Sequence, residues 1–437
     1  MSQESVLTAQ YFNSMSRKDW QQSRANFDCS ITLFENNLYL AVTSNSTQVS
    51  NNCGKLLRYD YPSDTWNEVY QLPLFNEGDG ISYARESKLG FGQNNSSHTN
   101  KIYSEMAVFK GESDNAAALY LSIFSSSGSQ LLRTENGEDF YAVPKAEVEQ
   151  YSLSFRRFLA LQNKLYASCS GKLQTEIQKW EDLPIVYGSN NPALGVWQDI
   201  SLLGFGDFNN KAIPQIVEFN NCLYVGTLNS EQGFQVWKTQ ILDQNSAWEK
   251  VISKGAYRYT MNEFTSSMVV FKGNLYIASG TFVVASNNIN DINIVSPELI
   301  CIYPDDSWDL IVGTPKFTPD GLKVPLSGMG PGFDDFSYSA FQCLLVHNDY
   351  LYVGVQKPNR FQMWASEDGE SWEMIPLNGI TNYPHVELCA AMSTPFGLTL
   401  VFDTGTSQNV NDYLSNSLGA NGLEIWIGKE SYVNLIC

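Results

Sequence analysis

LYVGTLNSEQGFQVWKT, Leu223–Thr239, reads as two short strands around a polar turn. Upstream lies a third apolar run, IPQIVEF (213–219), closed by Asn220-Asn221. Two alternating runs around "NN" are a hairpin signal, because a two-residue turn matching the strand twist needs left-handed backbone at both positions. Downstream, AWEKVI (247–252) supplies a fourth strand centred on Trp248. The segment therefore predicts a four-stranded antiparallel meander.

Similar segments recur. The Leu-Tyr pair falls at Leu38-Tyr39, Leu119-Tyr120, Leu165-Tyr166, Leu223-Tyr224, Leu275-Tyr276 and Leu351-Tyr352, and a seventh copy carries Leu398-Thr399. Successive Leu positions are 81, 46, 58, 52, 76 and 47 residues apart. Four-stranded units of about 40–50 residues are the period of propeller blades. The expected fold is all-β, a seven-bladed β-propeller of four-stranded antiparallel blades around a central channel. It forms one domain, with blades near 24–73, 102–145, 150–202, 211–253, 263–313, 336–377 and 385–437. The two long intervals imply insertions, around NEGDGISYARESKLGFGQNNSSHTN (76–100) and GTPKFTPDGLKVPLSGMGPGFDDF (313–336). Residues 1–23 are expected to cap or close the ring, with KDWQQS (18–23) joining the same blade as an outer strand SYVNLIC (431–437).

Composition agrees with a β protein: aromatic residues make up 13% of the 437, and aromatic side chains suit a pleated, half-buried surface. The net charge is −19, which disfavours nucleic acid and anionic membranes as partners, since both demand clustered Lys and Arg. The N-terminal MSQESVLTAQYF lacks the basic-then-apolar pattern of a signal peptide, and a cytoplasmic location is expected. The eight Cys include no CxxC pair, so buried free thiols are expected rather than zinc or disulfides.

SEDGESWEMI (366–375) resembles a degenerate Asp-box, the Ser-x-Asp-x-Gly-x-x-Trp turn of sialidase-like propellers, one residue short between Asp368 and Gly369. TENGEDFYAV (134–143), YPSDTWNEV (61–69) and YPDDSWDLIV (303–312) echo it. This turn is structural: its carboxylate fixes the turn and its aromatic anchors it. The longer phrase GFGDFNNKAIPQIVEFNNCLYVGTLNSEQGFQVWK (204–238) resembles a bacterial propeller repeat. It is similar to the propeller half of cyanobacterial enzymes that alkylate aromatic rings or carboxylates with secondary alkyl chlorides. That resemblance implies a biosynthetic enzyme. It carries over no catalytic residue, because the shared motifs are framework motifs. The calcium-binding domain of those enzymes has no counterpart in the sequence. With nine Arg and no arginine-bearing first-blade motif, a sialidase is disfavoured.

In a propeller the first strand of each blade lines the channel, and the connectors entering it surround the mouth. Aligned on their last apolar residue, the first strands carry Ser30, Glu105, Arg157, Gln215, Ser267 and Gln342 four residues earlier. Apolar residues follow: Ile31, Met106, Phe158, Ile216, Met268 and Cys343. Alternation places the two sets on opposite sides. A solvated channel lining is one reading. The other is a ligand site centred on Glu105, a candidate general base, and Arg157, a fork for a carboxylate or phosphate. These two are the candidate catalytic residues. The connectors add Tyr257, Arg258, Tyr259 and Glu263, then Asp334, Asp335 and Tyr338, and Asp207 and Asn209; turn capping explains each aspartate singly. The seventh strand, VELCAAM (386–392), offers no firm alignment, with Glu387 or His385 near the mouth.

No cofactor is expected. A structural Ca2+ on Asp334-Asp335 lacks a dedicated loop, and three His, at 98, 347 and 385, make a histidine metal centre improbable. Two functions remain open. One is an enzyme acting on a small-molecule substrate by acid–base and hydrogen-bond catalysis, including alkylation. The other is a non-catalytic propeller binding a glycan or a protein.

Overall fold

A computed structural model describes residues 16–20, 27–44, 55–60, 63, 65–71, 102–125, 128–144, 154–170, 183–240, 247–281, 296–335, 340–357, 360–375, 387–395, 397–403 and 423–427. The chain opens with β1 (Ser16–Trp20). The first meander is β2 (Phe27–Phe34), β3 (Asn37–Ser44), β4 (Lys55–Asp60) and β5 (Thr65–Gln71). The second is β6 (Ile102–Phe109), β7 (Ala118–Ser125), β8 (Gly128–Thr134) and β9 (Tyr141–Ala142). The third is β10 (Ser154–Leu161), β11 (Lys164–Ser170), β12 (Val186–Asn191) and β13 (Val196–Asp199). The fourth, which holds the stretch quoted above, is β14 (Ala212–Phe219), β15 (Cys222–Leu228), β16 (Val236–Gln240) and β17 (Glu249–Ile252). The fifth is β18 (Phe264–Phe271), β19 (Asn274–Gly280), β20 (Leu299–Ile302) and β21 (Trp308–Val312), followed by a hairpin of β22 (Lys316–Thr318) and β23 (Gly321–Lys323). The sixth is β24 (Phe341–His347), β25 (Tyr350–Lys357), β26 (Arg360–Ser366) and β27 (Glu373–Ile375). The last comprises β28 (Glu387–Thr394), β29 (Gly397–Asp403) and β30 (Leu423–Ile427).

The all-β expectation holds. Strand order within each meander is sequential, and single pairs, Ser170↔Ala212 and Leu228↔Phe264, join the third, fourth and fifth into one sheet. Beside β30 the outer position is taken by β1, antiparallel from Ser16↔Ile427 to Trp20↔Leu423. SYVNLIC, expected in that place, lies outside the described residues, as does the first insertion.

The turns follow the sequence. Asn220-Asn221, Glu35-Asn36 and Asn348-Asp349 all have positive φ at both positions, the backbone that Asn and Asp tolerate best.

Each main core is shared by two successive meanders. Tyr166 and Val186 pack with Ile213, Ile216, Leu223 and Val225; Tyr224 and Val236 pack with Leu275, Ile277 and Ile300. The series includes the first and last meanders, where Cys29, Leu38 and Leu57 meet Ala390, Val401 and Ile425. A four-stranded sheet has two apolar faces and covers neither alone, so each meander is stabilised by its neighbours. The first strands also lie side by side in succession: β2 with β6, β6 with β10, β10 with β14, β14 with β18, β18 with β24, β24 with β28, and β28 with β2.

The Leu-Tyr tyrosine reaches across these boundaries. Tyr224 Oη donates to Asp306 Oδ1 at 2.6 Å, in the turn before β21. Tyr39 and Tyr276 point at Gly137 and Gly369, where an added Cβ would fall 1.9 Å from each phenol oxygen. Gly369 belongs to the Asp-box-like turn: Asp368 Oδ1 accepts from the backbone of Glu370 and Ser371, and Gly369 N–H donates to Ser366 Oγ. Thr134, Asn136 and Gly137 repeat that pattern in the second meander. Each such turn is thus a socket for a neighbour's tyrosine.

The hairpin β22–β23 has inverted polarity. Its cross-strand pair Lys316↔Lys323 turns inward, Lys316 to the buried Glu298 and Lys323 to Asp309 and the Trp308 carbonyl. The pair Phe317↔Leu322 faces solvent, with Phe317 82% exposed.

Candidate functional site

The aligned polar positions lie on the first strands at a shared irregularity. Six of these strands carry one extra residue opposite the second strand, a β-bulge: between Tyr103 and Glu105, Phe155 and Arg157, Ala212 and Gln215, Thr265 and Ser267, Phe341 and Cys343, and Leu388 and Ala390. β2 has none. The residue after each bulge is the aligned position. A bulge breaks the ladder and re-aims side chains, which delivers this position to the neighbouring first strand.

The bulges correct one assignment. β24 closes on His347↔Tyr350, so four residues before its end stands Cys343, and Gln342 is the extra residue of the bulge. Aligning on Val346, the last apolar residue, shifts this strand by one because His347 is a strand residue, 4% exposed, with Nδ1 2.9 Å from Ser393 Oγ. The seventh strand likewise resolves to Ala390. The series is therefore Ser30, Glu105, Arg157, Gln215, Ser267, Cys343 and Ala390, holding one carboxylate and one cation.

Three neighbouring links run through it. Arg157 Nη1 donates to Glu105 Oε2 at 2.8 Å, joining β10 to β6. Gln215 Nε2 donates to the Ser266 carbonyl at 2.7 Å, at the bulge of β18. Ser267 Oγ accepts from Leu344 N–H at 3.0 Å, beside the bulge of β24. Gln215 and Ser267 thus bond backbone groups of the next first strand, at or beside its bulge. Ser30 is buried. The Glu105–Arg157 pair differs: its side chains are 15% and 32% exposed. Small residues stand opposite six of the seven, namely Ala41, Ser122, Ser168, Gly226, Ala278 and Gly354, while Val401 stands opposite Ala390. A Cβ on Gly226 would fall 2.1 Å from Thr265 Oγ1, so the close approach of the next first strand requires glycine there.

The connector residues turn mostly inward. Before β14, β18 and β24 the chain takes consecutive left-handed residues: Gly204-Phe205-Gly206, Lys254 to Tyr257, and Gly332-Phe333-Asp334. Left-handed backbone costs a non-glycine residue about 1–2 kcal/mol. Packing and buried hydrogen bonds hold it. Phe205 stacks on Trp237 at 5.2 Å and Phe333 on Trp364 at 4.4 Å. Asn210 Nδ2 donates to Gly204 O and Gln235 Oε1, and Asn262 Nδ2 donates equivalently to Gly255 O and Glu298 Oε2.

Arg258 belongs to that clamp and not to an open mouth. Its side chain is 10% exposed, with Nε 3.6 Å from Glu298 Oε1 and Nη1 bonded to the Ser296 carbonyl. Burial lowers the pKa of Arg258 and of Lys316, with Glu298 opposing the shift in both. Glu263 is also buried and accepts from Thr281 Oγ1. Asp207 accepts from Gln235 Nε2 at 2.6 Å and from Asn209 N–H. Asp334 Oδ1 caps Gly330 N–H, and the Asp335 carbonyl accepts from Ser296 Oγ. Tyr257 is half-buried against the core, and Tyr259 is 52% exposed. Tyr338, His98 and His385 lie outside the described residues, as does the side chain of Glu387. Among the described residues no three His, Cys, Asp or Glu side chains gather as a metal site. The bulges themselves escape periodicity; the sequence signal for the close approach was the small residue two places after each of the six repeated tyrosines.

No family model matches the chain, and no curated protein matches it. Among solved structures, it is similar to the α-L-arabinofuranosidase Arb93A of Fusarium graminearum with arabinobiose, at 12% identity over 78% of this chain and 92% of that one, TM-score 0.43. It is similar to a puromycin-hydrolyzing peptidase of Mycobacterium tuberculosis, at 10% identity over 88% of this chain and 59% of that one, TM-score 0.44. It is also similar to a GH43_1 enzyme of Xanthomonas citri, at 10% identity over 73% of this chain and 96% of that one, TM-score 0.34.

Proposed function

We propose that the meanders close into a seven-bladed propeller and that its innermost strands bind a carbohydrate non-covalently at Glu105 and Arg157. Closure is supported by the succession of first-strand contacts that returns from β28 to β2, and by the core shared between the first and last meanders.

The observation that carries the binding reading is the partly exposed Glu105–Arg157 pair at 2.8 Å, in a series whose other polar members face backbone or are buried. Charged donors and acceptors side by side suit hydroxyl groups, which both give and take hydrogen bonds. A net charge of −19 opposes a polyanionic ligand and leaves neutral polar ligands favoured. Catalysis has less support. Glycoside hydrolysis uses two carboxylates, and the aligned series has one. Alkylation by the acid–base route needs Glu105 as a base, and its Oε2 is already engaged by Arg157.

A glycan array followed by titration calorimetry tests this. Wild type is expected to bind a sugar ligand, and Glu105→Gln and Arg157→Met to lose binding while their thermal unfolding stays unchanged. Absence of glycan binding, or turnover of a small substrate abolished by Glu105→Gln, overturns it.

A further inference from the structure

The geometry points to one vicinal diol of a neutral sugar, bound once per chain across Glu105 and Arg157; this rests on the carbohydrate reading above. Arg157 offers five N–H donors in a planar fork. Among the described residues one of them is used, by Nη1 on Glu105 Oε2. Four donors and the second carboxylate oxygen, Oε1, are left for a ligand. A guanidinium beside a carboxylate is matched by two adjacent hydroxyls: one donates to Glu105 Oε1, and the other accepts from Arg157. Both charges are then satisfied without breaking the ion pair, and no net charge is added.

A carboxylated ligand fits less well. It would compete with Glu105 for the same guanidinium and place a second anion beside the first, in a chain of net charge −19. The exposures agree with ligand approach from the donor side, since Arg157 is the more open partner, at 32% against 15%.

The stoichiometry follows from the neighbours. Ser30 before the pair is buried, and Gln215 after it is bonded to the Ser266 carbonyl. The remaining aligned positions are Ser267, Cys343 and Ala390, none of them charged. One position pair of the series carries both signs, so one ligand binds, in contrast to a site repeated in every meander.

The test uses the full chain and a panel of methyl glycosides of glucose, galactose, mannose, xylose, arabinose and fucose, each with a monodeoxy partner, together with glucuronate and galacturonate. Calorimetry on wild type is expected to give one site for at least one neutral glycoside and about tenfold weaker binding of a monodeoxy partner, the scale of one lost hydrogen bond to a charged group. Glu105→Gln and Arg157→Lys are each expected to weaken that glycoside about tenfold or more, at unchanged circular dichroism and melting temperature. Arg157→Lys keeps the charge and removes the fork, so it separates shape recognition from charge. The diol assignment falls, with the carbohydrate reading intact, if a uronate binds more tightly than every neutral glycoside and gains affinity in Glu105→Gln. It also falls if neutral binding is indifferent to both variants, or if calorimetry returns several equivalent sites. If no sugar in the panel binds wild type, the carbohydrate reading falls with it.

Discussion

Tyr224 of β15 and Asp306 of the fifth meander share a hydrogen bond of 2.6 Å across a meander boundary, and Lys238 closes on the other oxygen of the same carboxylate. The repeated tyrosine is therefore both a core residue and a tie between neighbours. Tyr224→Phe keeps the ring and removes the tie. It is expected to destabilise by about 1–3 kcal/mol, since the acceptor is charged and half-buried. Urea unfolding of Tyr224→Phe, Asp306→Asn and the double variant should show a coupling between the two; additive losses would deny it.

The same tie has a pH signature. Burial, with help from Asp306, pushes the Tyr224 phenol above its ordinary value of 10.0, and burial moves Tyr39, Tyr166 and Tyr276 the same way. The folded state then holds these protons more tightly than the unfolded chain. Their contribution is intact below pH 10 and is lost as pH rises above it. Unfolding free energy should fall on the alkaline side, less steeply in Tyr224→Phe.

Asp368 gives the acidic counterpart. Burial alone would raise its pKa, but the backbone N–H groups of Ser371 and Glu370 and the hydroxyls of Ser371 and Ser366 outweigh it and bring the carboxyl down to about 2. Its stabilisation is present above the unfolded carboxylate pKa, roughly 4, and disappears as pH falls towards 2. Between pH 4 and 2, Asp368→Asn should lose less stability than wild type; equal losses would show that this turn does not contribute.

Lys316 anchors the inverted hairpin on Glu298, which is fully buried. Lys316→Met leaves that carboxylate with Arg258, Asn262 Nδ2 and the Thr314 N–H. Removing one partner of a buried ion pair is expected to cost about 3–5 kcal/mol. Glu298→Gln, which leaves the Lys316 and Arg258 cations buried without their shared carboxylate, should cost at least as much. Thermal melts of the two variants rank them.

Gly226→Ala places a methyl against Thr265 and is expected to cost about 1–3 kcal/mol through overpacking of adjacent first strands. Gly206→Ala meets nothing within 4 Å but has φ +76°, so its cost is backbone strain of about 1–2 kcal/mol. Denaturant unfolding should show both, and Gly226→Ala alone should be relieved by trimming the neighbour, in Thr265→Gly.

How far the site could be read from the residues is shown by three of them. Glu105 and Arg157 were legible as a charged pair on neighbouring first strands, because repeat spacing aligns them. Gln342 was misaligned by one, because His347 looks like a turn residue and is in fact the last residue of β24. Arg258 looked like a mouth residue, since its neighbours Tyr257 and Tyr259 are aromatic. A left-handed turn instead folds it onto Glu298, forty residues later in the chain.

By itself the sequence determined the meanders. Alternating apolar residues, Asn-rich turns and a Leu-Tyr pair at six of the seven second strands are local features, and local sterics and burial act on them wherever the chain runs. Tertiary structure decided what these elements meet: which tyrosine enters which turn, which polar side chain answers a bulge, and which cation is buried. Those outcomes depend on groups distant in sequence arriving at hydrogen-bonding distance, and periodicity carries no information about that.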